Sequence, residues 1–278
     1  MFDKLERVML PAIALAMAAI LAHAPQATAQ DSDAEAEAGR KWVLGLGIAT
    51  IPDYEGSNDY TFRPILTGSV TWANGRYLQL AGVNGAGTAA RLRYNFLRRS
   101  TLDFGPVLQV RAPRGDFVSN NKVENLRNID PAVEGGVFVG IRRGNLGGDL
   151  TSVRGITEHS GYVIEIAPYY KNKIGETFSW RVTPFLNWAS KEYQRKYFGV
   201  GPNDSLKSGL PEYRGSKGLK DSGVTLATNW KPGSWEHWSF TSFFRYARMI
   251  QNADDDSPVV DIGSENQFYG GLALMWNN

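Results

Sequence analysis

Phe178–Trp188 reads FSWRVTPFLNW, and it restricts the fold more than any other stretch of the chain. Phe178, Trp180, Val182, Pro184, Leu186 and Trp188 alternate with Ser179, Arg181, Thr183, Phe185 and Asn187. Successive side chains of a strand point to opposite faces, so this period of two gives one apolar face and one mostly polar face. The apolar face carries tryptophan toward both ends. A soluble sandwich would bury that face on a second sheet. A transmembrane barrel would turn it to lipid, with aromatics at the two headgroup levels and the polar face lining the lumen.

The N-terminal residues favour export. Lys4 and Arg7 precede the apolar run Val8–Ala22, and Ala27-Thr28-Ala29 follows as an A-x-A cleavage site. Residues 1–29 therefore read as a signal peptide, cut before Gln30. The run is too short, and too interrupted by Pro11, to be a comfortable membrane anchor. Residues 30–41 follow as an acidic periplasmic tail, with Asp31–Ala38 reading DSDAEAEA, and residues 42–278 are expected to form one barrel domain. No later segment approaches the roughly 18 consecutive apolar residues of a membrane helix. A membrane-spanning mature chain must then be a closed barrel, because lipid offers no partner for free backbone groups.

Composition narrows the functions. The chain has no cysteine, which excludes disulfides, thiolate metal sites and a cysteine nucleophile. The formal charge of +2 argues against a nucleic-acid partner. His159 and His237 are the histidines left once the leader carrying His23 is removed. His159 and Ser160 are neighbours that would face opposite ways on a strand, so His159 reads as a loop cap rather than a catalytic base. His237, beside Trp235 and Trp238, reads as interfacial. Metal-ligand spacing is absent, no cofactor is expected, and Asp254-Asp255-Asp256 reads as a solvated acidic loop. The chain is not expected to be an enzyme.

The same period recurs along the chain. Strands are expected at Trp42–Ile51, Thr61–Trp72, Arg76–Val83, Gly87–Phe96, Leu102–Ala112, Ala132–Arg143, Leu146–Arg154, Tyr162–Tyr170, Phe178–Trp188, Val224–Trp230, Trp238–Tyr246 and Gln267–Trp276. In Gly87–Phe96, Ala90 falls on the outward face and Ala89 on the inward one. The sum is an all-β, antiparallel up-and-down transmembrane barrel of about twelve strands, with N- and C-termini periplasmic. The longest gaps, Pro113–Pro131, Lys191–Lys217 and Gln251–Ser264, read as loops and fall at connections five, nine and eleven, all on one side. Long loops on one side and short turns on the other are the pattern of outer-membrane barrels.

The inward positions carry Arg63, Arg91, Arg93, Arg111, Arg142, Arg181 and Arg245 against Asp103, Glu134 and Glu165. They admit two readings: an arginine–carboxylate network filling a narrow barrel, or an anion-favouring constriction in a small channel. Two loops carry more structure than a connector needs. Pro52-Asp53-Tyr54-Glu55-Gly56-Ser57-Asn58-Asp59-Tyr60 mixes turn formers with tyrosines and acids, and Gly56 is free to take positive φ. Tyr197-Phe198-Gly199-Val200 puts apolar bulk in a polar loop, as for a segment packed into the barrel mouth or against a partner.

With these two loops the chain resembles the MltA-interacting protein (MipA/OmpV) family of outer-membrane proteins. The resemblance covers essentially the whole mature chain. It rests on Trp42–Gly47, Pro52-Asp53-Tyr54-Glu55-Gly56-Ser57, Asp59-Tyr60, Arg63-Pro64, Gly105-Pro106-Val107 and Tyr197-Phe198-Gly199-Val200. It continues through Ser208-Gly209-Leu210, Gly218-Leu219, Asp221 and Asp256-Ser257-Pro258-Val259. It implies a barrel in the outer membrane of a Gram-negative bacterium, in contact with outer-membrane lipid. It also implies a scaffold for peptidoglycan (murein) synthesis and remodelling, with a lytic transglycosylase and a murein synthase as partners. The family pattern favours a terminal aromatic, and here Trp276 stands two places early, before Asn277-Asn278. The alternative is a porin-like channel built on the inward arginines.

Overall fold

The computed structural model describes residues 39–83, 87–97, 101–115, 118–251 and 257–278. Twelve strands run in order: β1 (Lys41–Pro52), β2 (Tyr60–Thr71), β3 (Tyr77–Ala81), β4 (Thr88–Asn95), β5 (Leu102–Arg111), β6 (Ala132–Arg143), β7 (Leu146–Gly155), β8 (Tyr162–Ile174), β9 (Phe178–Ala189), β10 (Gly218–Trp230), β11 (Trp238–Met249) and β12 (Asn266–Asn277). Each pairs antiparallel with its sequence neighbours, and β12 returns to β1 from Val43↔Asn277 to Thr50↔Gly270. The sheet therefore has no free edge. This is the expected closed barrel of twelve antiparallel strands.

The alternation sorts the side chains. Leu44, Leu46 and Ile48 of β1 are exposed, as are Phe62 and Leu66 of β2, Val137, Val139 and Ile141 of β6, and Leu272 and Leu274 of β12. These residues form an apolar band around the barrel, far beyond the few hundred Å² that a water-soluble surface shows in one patch. Such a band on a closed sheet is the surface of a barrel that sits in lipid.

The two ends differ. Lys41 and Asn277 lie at one end, here the terminal end, with the short turns β2–β3, β6–β7, β8–β9 and β10–β11. Seven of the eight tryptophans sit there: Trp42, Trp72, Trp180, Trp230, Trp235, Trp238 and Trp276. Trp188 is alone at the opposite, loop end. Tryptophan favours the headgroup level, so the terminal end carries the heavier aromatic girdle.

The three long loops are more ordered than the sequence suggests. They contain four short helices: α1 (Asn121–Glu124), α2 (Lys191–Tyr197), α3 (Pro202–Ser208) and α4 (Pro258–Asp261). Each begins on a local cap signal that a period-two reading passes over. Ser190 accepts from Tyr193 N–H, Asn120 accepts from Lys122 and Val123 N–H, and Pro202 and Pro258 occupy first helical positions. A register shift between Thr88 and Ala90 leaves Ala89 without a partner in β4, while Ala90 pairs with Val110 on the outward face it shares with Leu92, as expected, though neighbours cover it to 5 % exposure. Strand β10 starts at Gly218, earlier than the expected Val224. Lys41, expected in the acidic tail, opens β1. The leader, Asp31–Ala38 and the Asp254-Asp255-Asp256 run lie outside the described residues.

The lipid-facing band has a direct test. Leu46 is 67 % exposed in the middle of β1. Leu46→Arg is expected to cost about 2–4 kcal/mol, the usual penalty for arginine at the bilayer midplane. Urea unfolding of the barrel in phospholipid vesicles reads this out, and an unchanged midpoint would mean that the band does not face lipid.

A sealed mouth and a charged lumen

The loop end is built on one glutamate. Glu55 lies in the turn between β1 and β2, which is held compact from within. Asp53 N–H donates to Asp59 O (3.0 Å), Ser57 N–H to Tyr54 O (3.1 Å) and Asp59 N–H to Ser57 Oγ (3.0 Å), while Gly56 takes φ 99°. That φ favours glycine. A Cβ there would also come within 2.9 Å of Val260 Cγ2 in α4. The turn thus bends inward and delivers Glu55 to the top of the lumen.

There Glu55 gathers three donors from distant parts of the chain. Lys220 Nζ donates to Oε1 at 3.0 Å, Arg111 Nη1 lies 3.3 Å from the same oxygen, and the Tyr193 hydroxyl donates to Oε2 at 2.6 Å. Arg111 also forks onto Glu134, with Nε to Oε1 at 2.9 Å and Nη2 to Oε2 at 2.8 Å. Gln109 donates to Glu134, and His159 Nε2 lies 3.0 Å from it. Lys220 further donates to Asp221, which accepts from Asn187 Nδ2 at 2.6 Å. Every charged member is buried, as buried charge demands when it is paired and hydrogen-bonded.

Lys220 and Asp221 are adjacent, yet both face inward. The reason is a register shift in β10 against β9 between Leu219 and Asp221, which inserts an unpaired residue and re-aims Lys220. The strand was expected to begin only at Val224, so neither entered the expected lumen set.

Above this network the loops close over the mouth. Tyr54, Val118, Val123, Leu126, Val200, Leu210 and Val259 form one apolar cluster drawn from four loops. Tyr193, Tyr197 and Phe198 pack below it, and Phe198 is fully buried. The Tyr197-Phe198-Gly199-Val200 segment is thus packed into the barrel mouth. Polar ties bind the loops: Ser257 Oγ donates to Phe198 O, Ser264 N–H to Gly56 O, Ser119 Oγ to Asp53 Oδ2 and Gln267 Nε2 to Ser57 O. Pro52 ends β1, Tyr60 begins β2, and Pro258 opens α4 beneath the same cap. One gap lined by Glu55, Arg111 and Tyr197 among the described residues measures ≈ 20 Å³, room for about one water.

The ten inward charges named from the alternation fall into three levels. At the terminal end Arg142 Nη2 meets Asp103 Oδ1 at 2.8 Å. In mid-lumen Arg93 meets Asp149 at 3.0 Å and Arg91 meets Glu165 at 2.8 Å, while Arg181 lies over the Tyr169 ring and Arg245 over the Phe185 ring. At the loop end Arg111 and Glu134 join the cap network, and Arg63 is buried at the same level. Side-chain exposure falls steadily along this path: 42 % at Arg142, 20 % at Arg93, 12 % at Arg91 and 2 % at Arg111. The carboxylate partners do not follow the same order, at 5 % for Asp103, 23 % for Asp149, 13 % for Glu165 and 0 % for Glu134. Asp149, Asp221 and Glu55 are the network and lumen acids that an inward-position count left out. Asp149 lies on the glycine-rich β7, whose alternation is weak, and Glu55 is in a turn.

His159 Nδ1 accepts from Gly161 N–H at 3.2 Å, closing its own loop. His237 lies in the β10–β11 turn, its Nδ1 2.9 Å from Asn277 O. Among the described residues no cluster of three or more metal-ligating side chains occurs.

Two predictions follow from the cap. Lys220→Met strips the shared cation from Glu55 and Asp221, and breaking a buried pair this way is expected to cost about 3–5 kcal/mol. Glu55→Gln combined with Lys220→Met is expected to recover part of that loss, read as a double-mutant cycle in denaturant. Full stability of Lys220→Met would remove the network as the cap's anchor. The second prediction concerns alkali. Burial pushes the Tyr54 phenol up to about 12, against the opposing pull of Arg114, and burial also holds Tyr193 and Tyr197 protonated well beyond their ordinary range. Above pH 10 the unfolded chain releases these protons while the folded chain keeps them. Their stabilisation is therefore complete below pH 10, and the Tyr54 share is lost between pH 10 and about 12. Burial and nearby Arg127 push Arg114 down to about 10, which acts in the opposite sense in both proteins. Comparing the parent with Tyr54→Phe cancels that term except for the part that Tyr54 itself contributes to Arg114. The parent is expected to lose stability more steeply over this window, and parallel curves would refute the assignment.

Among solved structures the chain is similar in fold to the NanC porin, at 10 % identity over 85 % of this chain and 98 % of that one, with a TM-score of 0.41. It is likewise similar to the COG4313 outer membrane channel from Pseudomonas putida F1 (9 %, 86 % and 96 %, TM-score 0.38) and to outer-membrane OmpT of Vibrio cholerae (7 %, 86 % and 97 %, TM-score 0.36). No curated protein sequence matches the chain significantly. The family model described as MltA-interacting protein MipA matches residues 44–278, the whole of the barrel from early β1 to the last residue. With its sealed mouth and its twelve closed strands, the chain belongs to the MltA-interacting protein MipA family.

Proposed function

We propose that this outer-membrane barrel works as a scaffold that docks enzymes of murein synthesis and remodelling, a lytic transglycosylase and a murein synthase. The observation that carries the reading is the sealed mouth. A pore needs a continuous aqueous path, and the described loops fill the mouth with buried side chains, one gap among them measuring ≈ 20 Å³. Buried charge pairs that are mutually satisfied fit a plug better than a conducting constriction, where an ion must be bound weakly enough to leave. The family description, an MltA-interacting protein, supplies the partner class. In this reading the terminal end faces the periplasm, where short turns and a tryptophan girdle hold the barrel level in the membrane and the acidic tail Asp31–Ala38 extends toward the cell wall. The scaffold performs no chemical step of its own and needs no cofactor.

Crosslinking of intact envelopes, followed by pull-down and mass spectrometry, tests this. Recovery of a lytic transglycosylase or a murein synthase is expected, together with its loss when the β8–β9 and β10–β11 turns or Asp31–Ala38 are replaced. Recovery of general assembly factors alone, with a steady conductance in planar bilayers that changes when Arg91, Arg93 and Arg181 become alanine, would overturn the scaffold in favour of an anion channel.

A further inference from the structure

A cavity of ≈ 280 Å³ lies in mid-lumen, just below the ≈ 300 Å³ at which small-molecule sites commonly begin. Four guanidiniums line it, Arg91, Arg93, Arg181 and Arg245, against two carboxylates, Asp149 and Glu165. Both carboxylates are engaged, Glu165 by Arg91 at 2.8 Å and Asp149 by Arg93 at 3.0 Å. Two positive charges remain, on Arg181 and Arg245.

The protein neutralises these only in part, Arg245 sharing Glu165 with Arg91. The Arg181 guanidinium lies 4.3 Å from the Tyr169 ring centroid and has no carboxylate partner among the described residues. Arg245 is 7 % exposed and stacks on Phe185, with 3.4 Å from its guanidinium carbon to the ring centroid. Its Nη1 donates to Thr225 Oγ1 at 3.3 Å. Its Nε and Nη2 are buried without a hydrogen-bond partner, and Nη2 is 4.0 Å from Glu165, beyond hydrogen-bond reach. Buried charged donors call for an acceptor, and the Arg245 side chain that carries them lines the cavity. The rest of the polar lining is a set of hydroxyls, Thr67, Thr151, Thr183, Thr225 and Thr241, with apolar surface from Phe243.

We propose that this cavity is a dead-ended binding site for a hydroxylated carboxylic acid of single-sugar size, entered from the terminal end. Arg245 and Arg181 hold the carboxylate, because a guanidinium fork matches it in charge and geometry. The threonine hydroxyls pair with the ligand's hydroxyls as donors and acceptors. The site is dead-ended because Glu55, Lys220 and Arg111 fill the lumen on the loop side, while the exposure of the paired arginines rises toward the terminal end. A bound acid would supply the acceptors that Arg245 lacks. It would leave the paired arginines Arg91 and Arg93 as walls.

Titration calorimetry on the purified, folded full-length barrel in detergent at low ionic strength tests the site with three probes. Glucuronate is expected to bind, with glucose and inorganic phosphate each weaker by about tenfold or more, since each lacks one of the two recognition elements. Phosphate binding as tightly as glucuronate would overturn the sugar-acid assignment, and absence of glucuronate binding would overturn the site. Arg245→Gln and Arg181→Gln are each expected to weaken glucuronate by about tenfold to a hundredfold, the range of one charge-assisted contact. Heat-modifiable electrophoretic mobility confirms folding of each variant. Arg181 stands apart from the cap network and from the Phe185 stack, so Arg181→Gln keeps the test open should Arg245→Gln fail to fold. Unchanged glucuronate affinity in folded Arg181→Gln would refute the proposal.

Discussion

Lipid supplies no hydrogen-bond partner, and this constraint governs the whole molecule. Each backbone N–H and C=O inside the bilayer must be satisfied by the chain itself. The chain meets that demand by pairing β12 back onto β1, which removes both sheet edges. Closure then divides every strand into a lipid face and a lumen face. The lipid face needs only apolar bulk, and Leu46, Ile48, Phe62 and Ile166 supply it. The lumen face inherits the polar side chains of all twelve strands in a space without room to solvate each one. Ion pairs such as Arg91–Glu165 and Arg93–Asp149, and arginines stacked on Tyr169 and Phe185, are the consequence.

The strands bury an apolar cluster of their own, with Ile51, Ile65, Phe185 and Tyr269, and the mouth carries a further one. Four loops that share no sequence continuity meet over Glu55, whose carboxylate ties the first turn to β5, β10 and α2 through Arg111, Lys220 and Tyr193. Glu55 is separated from Lys220 by 165 positions and from Tyr193 by 138, so these contacts form only once the barrel has closed. The cap's apolar cluster and the charged ring below it support each other. The cluster excludes water, which strengthens the ion pairs, and the ion pairs fix the loops that carry the cluster.

Sealing one end also shapes the lumen. The paired arginines grow less exposed from Arg142 at the terminal end to Arg111 beneath the cap. Arginine counts alone leave a channel and a filled barrel equally open. They separate once partners are assigned. Arg91, Arg93, Arg111 and Arg142 are spoken for by carboxylates, whereas Arg181 and Arg245 keep positive charge facing a cavity.

Strand number, closure and most of the facing were legible in the residues themselves, because lipid enforces the period of two along FSWRVTPFLNW and its counterparts outside the bulges at Ala89 and Lys220. All ten charges assigned to the lumen by that period lie on inward-facing strand positions. The cap was only half legible. Gly56 announced a compact turn and Tyr197–Val200 an apolar segment in a polar loop, but neither said that Glu55 would sit at the centre. The bulge at Leu219–Asp221 was illegible, since a register shift reflects the pairing of two strands rather than the composition of one. The sequence by itself determined a lipid-embedded barrel and the side of the wall on which strand residues lie outside the bulges, because alternation is a local property. Only the tertiary structure decided that loops pack over the mouth and how each arginine is partnered, because both depend on contacts between residues far apart in the chain.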